Sequence, residues 1–211
     1  MKTTLKGILA IINEEALVLS TYRDAAGVLT IGAGHTAAAG GMAPKLGGRI
    51  TIEQGIALLA VDLAKFERRV AASVDRALAQ HEFDALVSFD FNTGAITGGT
   101  VDDKLNKGDI DGALATLQQY DKAGGRKLAG LARRRDNEAA MFRHGFYPEV
   151  SAIKVYDTWP GKQHLVPVSS LDLSAFAAPF EIPARPRGLL AALIDLLLAI
   201  FKRSSGQRST R

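Results

Sequence analysis

The sequence predicts an α+β chain, mostly α. A glycine-, threonine- and β-branched-rich stretch, Leu17 to Gly41, breaks into short runs, whereas from Thr51 to Gly145 apolar residues recur at helical spacing between recognisable caps. After Gly145 the texture changes, because six of the seven prolines lie there. The 211 residues suffice for one domain and a remainder, and 47% hydrophobic with 23% charged residues is a globular composition. Collagen, a coiled coil and a mostly disordered chain are excluded. The lack of cysteine excludes a disulfide scaffold, a thiolate zinc site and a cysteine nucleophile, and it leaves the compartment open.

The first helix follows from Ile8, Ile11 and Ile12 at helical spacing. Two lysines and the apolar run Gly7 to Ile12 imitate the start of a secretory signal, but Asn13, Glu14 and Glu15 end the run too early, so no signal peptide is expected. Ala25-Ala26-Gly27 separates the runs Leu19 to Arg23 and Val28 to Gly32, which predicts a small β-hairpin region. Thr51-Ile-Glu-Gln54 reads as a capping box opening a long helix over 52–72, with Ile56, Leu59, Leu63 and Phe66 on one face. Phe83 to Phe91 reads as a buried helix that stops near Gly94. Shorter helices are expected over Val101 to Lys107, Ile110 to Tyr120 behind the cap Asp109, and Leu131 to Arg143 before Gly145.

Glu15 stands at the end of the first helix, with Asp24 and Thr30 in the hairpin region beyond it. A helix end facing a sheet can wall a cleft. Two carboxylates and a hydroxyl there suit inverting glycoside hydrolysis: one acid protonates the leaving oxygen, and the other carboxylate with the hydroxyl aligns a water, at a carboxyl separation of about 6.5–9.5 Å. Spacing alone is unspecific, since 22 acids offer many such pairs, and a bland reading makes Glu15 a solvated helix end and Asp24 a turn former.

The whole string Glu15-Ala-Leu-Val-Leu-Ser-Thr-Tyr-Arg-Asp24-Ala-Ala-Gly-Val-Leu-Thr30-Ile-Gly-Ala-Gly-His35-Thr36 is more specific. It resembles the active-site region of the phage-type lysozymes, the endolysin family of glycoside hydrolases (family 24). The resemblance continues through Ile50 to Leu63, Phe83 to Gly94, Lys122 to Gly125 and Gly130 to Glu138, covering about residues 4–146 in order. It implies a two-lobed lysozyme-like fold, with a small β-sheet in the N-terminal lobe and a helical C-terminal lobe. It further implies hydrolysis of the β-1,4 link between N-acetylmuramic acid and N-acetylglucosamine in peptidoglycan, without metal or organic cofactor.

On this resemblance Glu15 is the general acid, which must hold its proton at the working pH, and Asp24 and Thr30 position and activate the water. One of Arg133, Arg134 and Arg135, with Arg134 favoured, reaches across the cleft to Glu15, and at least one of the three must face solvent. His35 is expected to pair with Asp62 and tie down the hairpin lobe, a structural role. Asn92, Thr93 and Tyr120 are candidate cleft-wall groups for sugar binding, although Asn92 could equally satisfy a helix end. Glu14, one position out of register, is expected to be solvated. Tyr120 departs from the tryptophan common in the family.

Two competing readings follow: a lytic transglycosylase, which the Asp24/Thr30 pair argues against, and a non-catalytic wall-binding protein on a lysozyme fold. The expected organisation is a catalytic domain over 1–146, a proline-rich linker over 147–187 and an apolar helix with basic flanks over 188–211. Val155 to Gly161, with the only tryptophan, is read as packing on its own domain rather than as a sugar platform. The leucine-rich run 188–201 would span about 21 Å as a helix, short of a ~30 Å bilayer core, so 185–203 suggests contact with a membrane surface or a self-associating helix. Of the 26 Lys and Arg residues, six lie in 183–211 against one acid, so the net charge of +4 comes from the tail. No nucleic-acid partner is expected. A monomer is expected. The resemblance implies accumulation in the host cytoplasm and passage through a membrane opened by a holin to the periplasmic wall, with the tail as an alternative link to the inner membrane.

Overall fold

Thr4 starts the first helix, α1 (Leu5–Glu15), by accepting the Gly7 backbone N–H on its hydroxyl. The computed structural model describes residues 1–174, all within one compact unit. After α1 come β1 (Leu17–Arg23), β2 (Leu29–Gly32) and β3 (His35–Thr36), then the long helix α2 (Ile52–Ser73). Thr51 and Gln54 form the reciprocal capping box at its start. Next are α3 (Gln80–Thr93), α4 (Val101–Asn106) and α5 (Ile110–Gln118), a short hairpin of β4 (Lys122–Ala123) and β5 (Arg126–Lys127), and α6 (Ala129–His144). Two further strands, β6 (Ala152–Tyr156) and β7 (Gln163–Pro167), follow. The fold is α+β and mostly α.

Helix α3 is the centre of the molecule: every residue from Phe83 to Asp90 is buried. A helix apolar on one side only would lie on a surface, but this one is enclosed all round by α1, α2 and α6. Ile8, Ile11 and Ile12 of α1, Ile56, Leu59 and Leu63 of α2, and Met141 and Phe142 of α6 close around Phe83, Leu86 and Phe89. Each fully buried side chain of this size contributes about 1.5–3 kcal/mol through removal from water. The helix ends where expected, at Gly94, whose left-handed backbone (φ 68°) lets its N–H return to the Asp90 carbonyl.

The larger sheet has the order β3-β2-β1-β6-β7. Its first three strands are the expected hairpin region. The other two correct the expectation of a linker beginning at 147. Strand β6 pairs in parallel with β1, Leu17 opposite Val155 and Val18 opposite Tyr156, and β7 pairs antiparallel with β6. Ile153 and Val155 alternate inward and are fully buried, so this segment completes the core. Its prolines sit where strands tolerate them: Pro160 lies in the β6–β7 turn and Pro167 ends β7 at the sheet edge. The remainder of the expected linker and the apolar segment 188–211 lie outside the described residues.

Candidate active site

The chain turns sharply directly after Glu15. Ala16 takes a positive φ of 65°, rare for a residue with a Cβ, and its N–H closes onto the Ile12 carbonyl. This strained residue ends α1 and sends the backbone straight into β1. Glu15 is thereby fixed at the junction of a helix and the sheet, with its side chain 29% exposed. Arg134 of α6 meets it there, Nη1 lying 2.5 Å from Oε1.

Arg134 is itself held from below. Its Nε donates to Glu138 Oε1 at 3.3 Å, and that carboxylate also receives Ser88 Oγ at 2.8 Å and Arg135 Nη2 at 2.9 Å. All three charged groups are buried, Arg135 completely. Burial is the main influence on each end of the Arg135–Glu138 pair, pushing the Glu138 carboxyl up and the Arg135 guanidinium down, with the opposite charges acting against it. The three arginines thus divide: Arg133 is exposed, Arg134 reaches Glu15, and Arg135 goes into the core on Glu138. Glu14 departs from the expected solvated state; its side chain is only 14% exposed and stands 3.9 Å from Arg133.

Asp24 uses its two oxygens differently. Oδ1 accepts the backbone N–H groups of Ala26 and Val28, both at 2.9 Å, so the turn-forming role is real. Oδ2 faces the Thr30 hydroxyl at 3.5 Å. Thr30 is buried, and its hydroxyl also lies 3.1 Å from the Val28 carbonyl. The turn therefore clamps one edge of the carboxylate and aims the other at a hydroxyl close enough to share one water with it.

His35 and Asp62 are brought together, Nδ1 standing 2.9 Å from the carboxylate, while Nε2 meets the Met42 carbonyl at 2.6 Å. The pair is buried and joins β3 to α2. Tyr120 stacks edge-on to Phe89 at 5.1 Å, with its hydroxyl 3.4 Å from Thr100 Oγ1. Asn92 is exposed at the end of α3, where Thr93 and Arg69 supply the side-chain bonds to Phe89 and Gly94 carbonyls. The structure does not bring Asn92 or Tyr120 into contact with Glu15 or Asp24. Among the described residues no group of three or more His, Asp or Glu side chains is arranged to hold a metal ion.

The family model of phage lysozymes matches residues 12–138, a span that includes Glu15, Asp24, Thr30, Arg134 and Glu138. The chain belongs to the phage lysozyme family. An endolysin of Acyrthosiphon pisum secondary endosymbiont phage 1 is 37% identical over 143 residues, covering 65% of this chain and 94% of that protein. The endolysin of Salmonella phage P22 is 36% identical over 144 residues, covering 67% of this chain and 98% of its own. Among solved structures, an endolysin from Escherichia coli O157:H7 phage FAHEc1 superposes with a TM-score of 0.62 at 34% identity, over 71% of this chain and 98% of that one. This phage lysozyme is accordingly a glycoside hydrolase that lyses bacterial cell walls, with peptidoglycan as its substrate.

Sequence reasoning passed over Glu138 and Ser88, which hold Arg134 in place. The available signal was Glu138 itself, three and four residues beyond two arginines, a spacing that puts all three on adjoining helical faces. It also left Tyr22 unassigned. Tyr22 stands directly opposite Thr30 on the neighbouring strand, and burial, then the Asp24 charge, raise its phenol above the ordinary value.

Proposed function

We propose that this phage lysozyme cleaves the β-1,4 bond between N-acetylmuramic acid and N-acetylglucosamine with inversion, Glu15 acting as general acid and Asp24 with Thr30 activating the water. Glu15 protonates the glycosidic oxygen as the bond to the leaving sugar breaks. Arg134 orients the carboxyl and stabilises the charge it carries once the proton is gone. Asp24 takes a proton from the water that attacks the anomeric carbon from the opposite face, and Thr30 fixes that water's position.

The observation that supports this reading best is the divided use of Asp24, one oxygen bound by two backbone N–H groups and the other turned toward a buried hydroxyl. A carboxylate serving only the turn has no need of the second arrangement. Glu15→Gln is expected to abolish lysis of purified walls while the protein stays folded. Lysis retained at the wild-type rate would sink the assignment of the acid.

His35 with Asp62 serves in this scheme to hold β3 on α2, so that the sheet keeps its distance from α1. Delivery belongs to the same proposal: accumulation as a monomer in the host cytoplasm, passage through a membrane opened by a holin, and action on the periplasmic wall. Contact of 185–203 with the inner-membrane surface would retain a fraction of the protein there. Deleting 185–211 should lower recovery with membranes, and equal recovery would remove that part.

A further inference from the structure

Trp159 is the only tryptophan in the chain, and 47% of it is exposed on the turn between β6 and β7. Leaving so large an apolar ring in water forgoes stabilisation that burial would supply, and a ring on a free loop would also forfeit order. This one is packed against two other rings. Tyr156 meets it edge to face at 5.0 Å and 85°, and Tyr22 lies against it at 6.3 Å and 58°. The Tyr156 hydroxyl donates to Gln163 Oε1 at 3.0 Å, so the supporting ring is fixed as well.

The position of this aromatic group matters more than its exposure. Tyr22 sits directly opposite Thr30 across the β1–β2 ladder, so both side chains leave the same face of the sheet. Asp24 is two residues farther along the chain, and its charge reaches the Tyr22 phenol. From Asp24 and Thr30 the surface therefore runs through Tyr22 to the exposed indole. Strands β6 and β7 lie beyond the span 12–138 matched by the family model, and β6 attaches to the free edge of β1, the strand leading to Asp24. The added hairpin thus carries its aromatic ring to the sheet that bears the water-activating pair. Asp157 lies on the same β6–β7 turn, and Gln163, the first residue of β7, accepts from the Tyr156 hydroxyl beneath the ring, so hydrogen-bonding groups are at hand on this hairpin.

A flat apolar face with a polar rim suits a pyranose ring, whose axial C–H groups pack on an aromatic face while equatorial hydroxyl and acetamido groups reach outward. Continuity with Asp24 selects the occupant: the substrate strand itself. We propose that Trp159, supported by Tyr156 and Tyr22, is a stacking subsite for an N-acetylhexosamine ring of the peptidoglycan glycan strand, beyond the sugars at the cleaved bond. The inference rests on the hydrolytic reading above.

The test uses the full chain and soluble glycan strands prepared from walls stripped of their stem peptides. Product release by the wild type is measured first, and its absence would defeat the hydrolytic reading and this subsite with it. Given release, Trp159→Ala should raise KM on these strands about tenfold, the equivalent of one good aromatic stack, while kcat falls far less. Trp159→Phe should recover most of the loss. An unchanged KM in Trp159→Ala, or a fall in kcat alone, overturns the subsite. Because the indole is unique, its fluorescence gives a second readout in a chain with native Trp159. Saturating Glu15→Gln with the same strands should shift the emission, and unchanged emission would overturn the proposal even if Trp159→Ala failed to fold.

Discussion

Arg134 Nη1 lies 2.5 Å from Glu15 Oε1, and the same guanidinium rests on Glu138 beneath it, so the candidate acid at the end of α1 is tied to the buried face of α6. Glu138 is the only carboxylate within ion-pair reach of Arg135 among the described residues, and Arg134 has Glu15 besides. Two buried cations thus share one buried anion, and Arg135 depends on it alone.

Glu138→Gln should therefore cost stability well beyond a surface change. Removing the charge strands Arg135 in the interior and leaves Arg134 with Glu15 alone, and breaking a buried pair of this kind costs about 3–5 kcal/mol. Chemical denaturation should show that loss, with wall lysis falling as Arg134 loses its support. A cost below about 1 kcal/mol, the level of an exposed pair, would mean the cluster is solvated in solution.

Gly7→Ala should destabilise α1 although alanine is the better helix former. A Cβ at Gly7 would come within 2.9 Å of the Asp84 carboxyl and of Thr3. Asp84 cannot swing away without loss, because it is fully buried and bonded to Thr4, Gln80 and Tyr147. Overpacking of this type costs about 1–3 kcal/mol, more than the ~1 kcal/mol gained by replacing glycine in a helix. A melting temperature raised by the substitution would contradict this account of the α1–α3 contact.

Asp90 gives a pH dependence opposite to that of an ordinary ion-paired carboxylate. Burial raises its folded pKa, with the Ile96 N–H and Arg69 acting against the shift, and Oδ2 has no hydrogen-bond partner. Between the ordinary carboxylate value and the raised one the folded state binds more protons than the unfolded state, so this contribution to stability is lost as pH rises through the folded pKa. Asp90→Asn removes that loss. Its melting temperature should gain on the wild type as pH climbs from about 4 toward neutrality, an ordinary acid unfolded titrating near 4. A gap that narrows over the same range would reverse the sign and refute the assignment.

The helical part of the fold was legible because its signals are local. The Thr51–Gln54 box, the glycine ends at 94 and 145 and the spacing of Ile8, Ile11 and Ile12 each act within a turn or two of helix. Strands β6 and β7 were not, since what makes them strands is the free edge of β1, far away in the chain, and their prolines imitate a linker. Within the site, Glu15, Asp24 and Thr30 could be singled out from their string, and Arg134 from three neighbouring arginines. Glu138 could not, because Arg-Arg-Arg-Asp-Asn-Glu reads as a solvated helix face until α6 packs against α3 and buries two of its arginines.

The hydrolytic mechanism is tested most directly by digesting purified peptidoglycan in ¹⁸O-labelled water and weighing the released muropeptides. Activation of water by Asp24 and Thr30 predicts reducing-end muramic acid carrying one ¹⁸O, no product at all from Glu15→Gln, and a strongly reduced yield from Asp24→Asn. Unlabelled anhydro-muramic products, lighter by one water, would contradict the account and make this chain a transglycosylase.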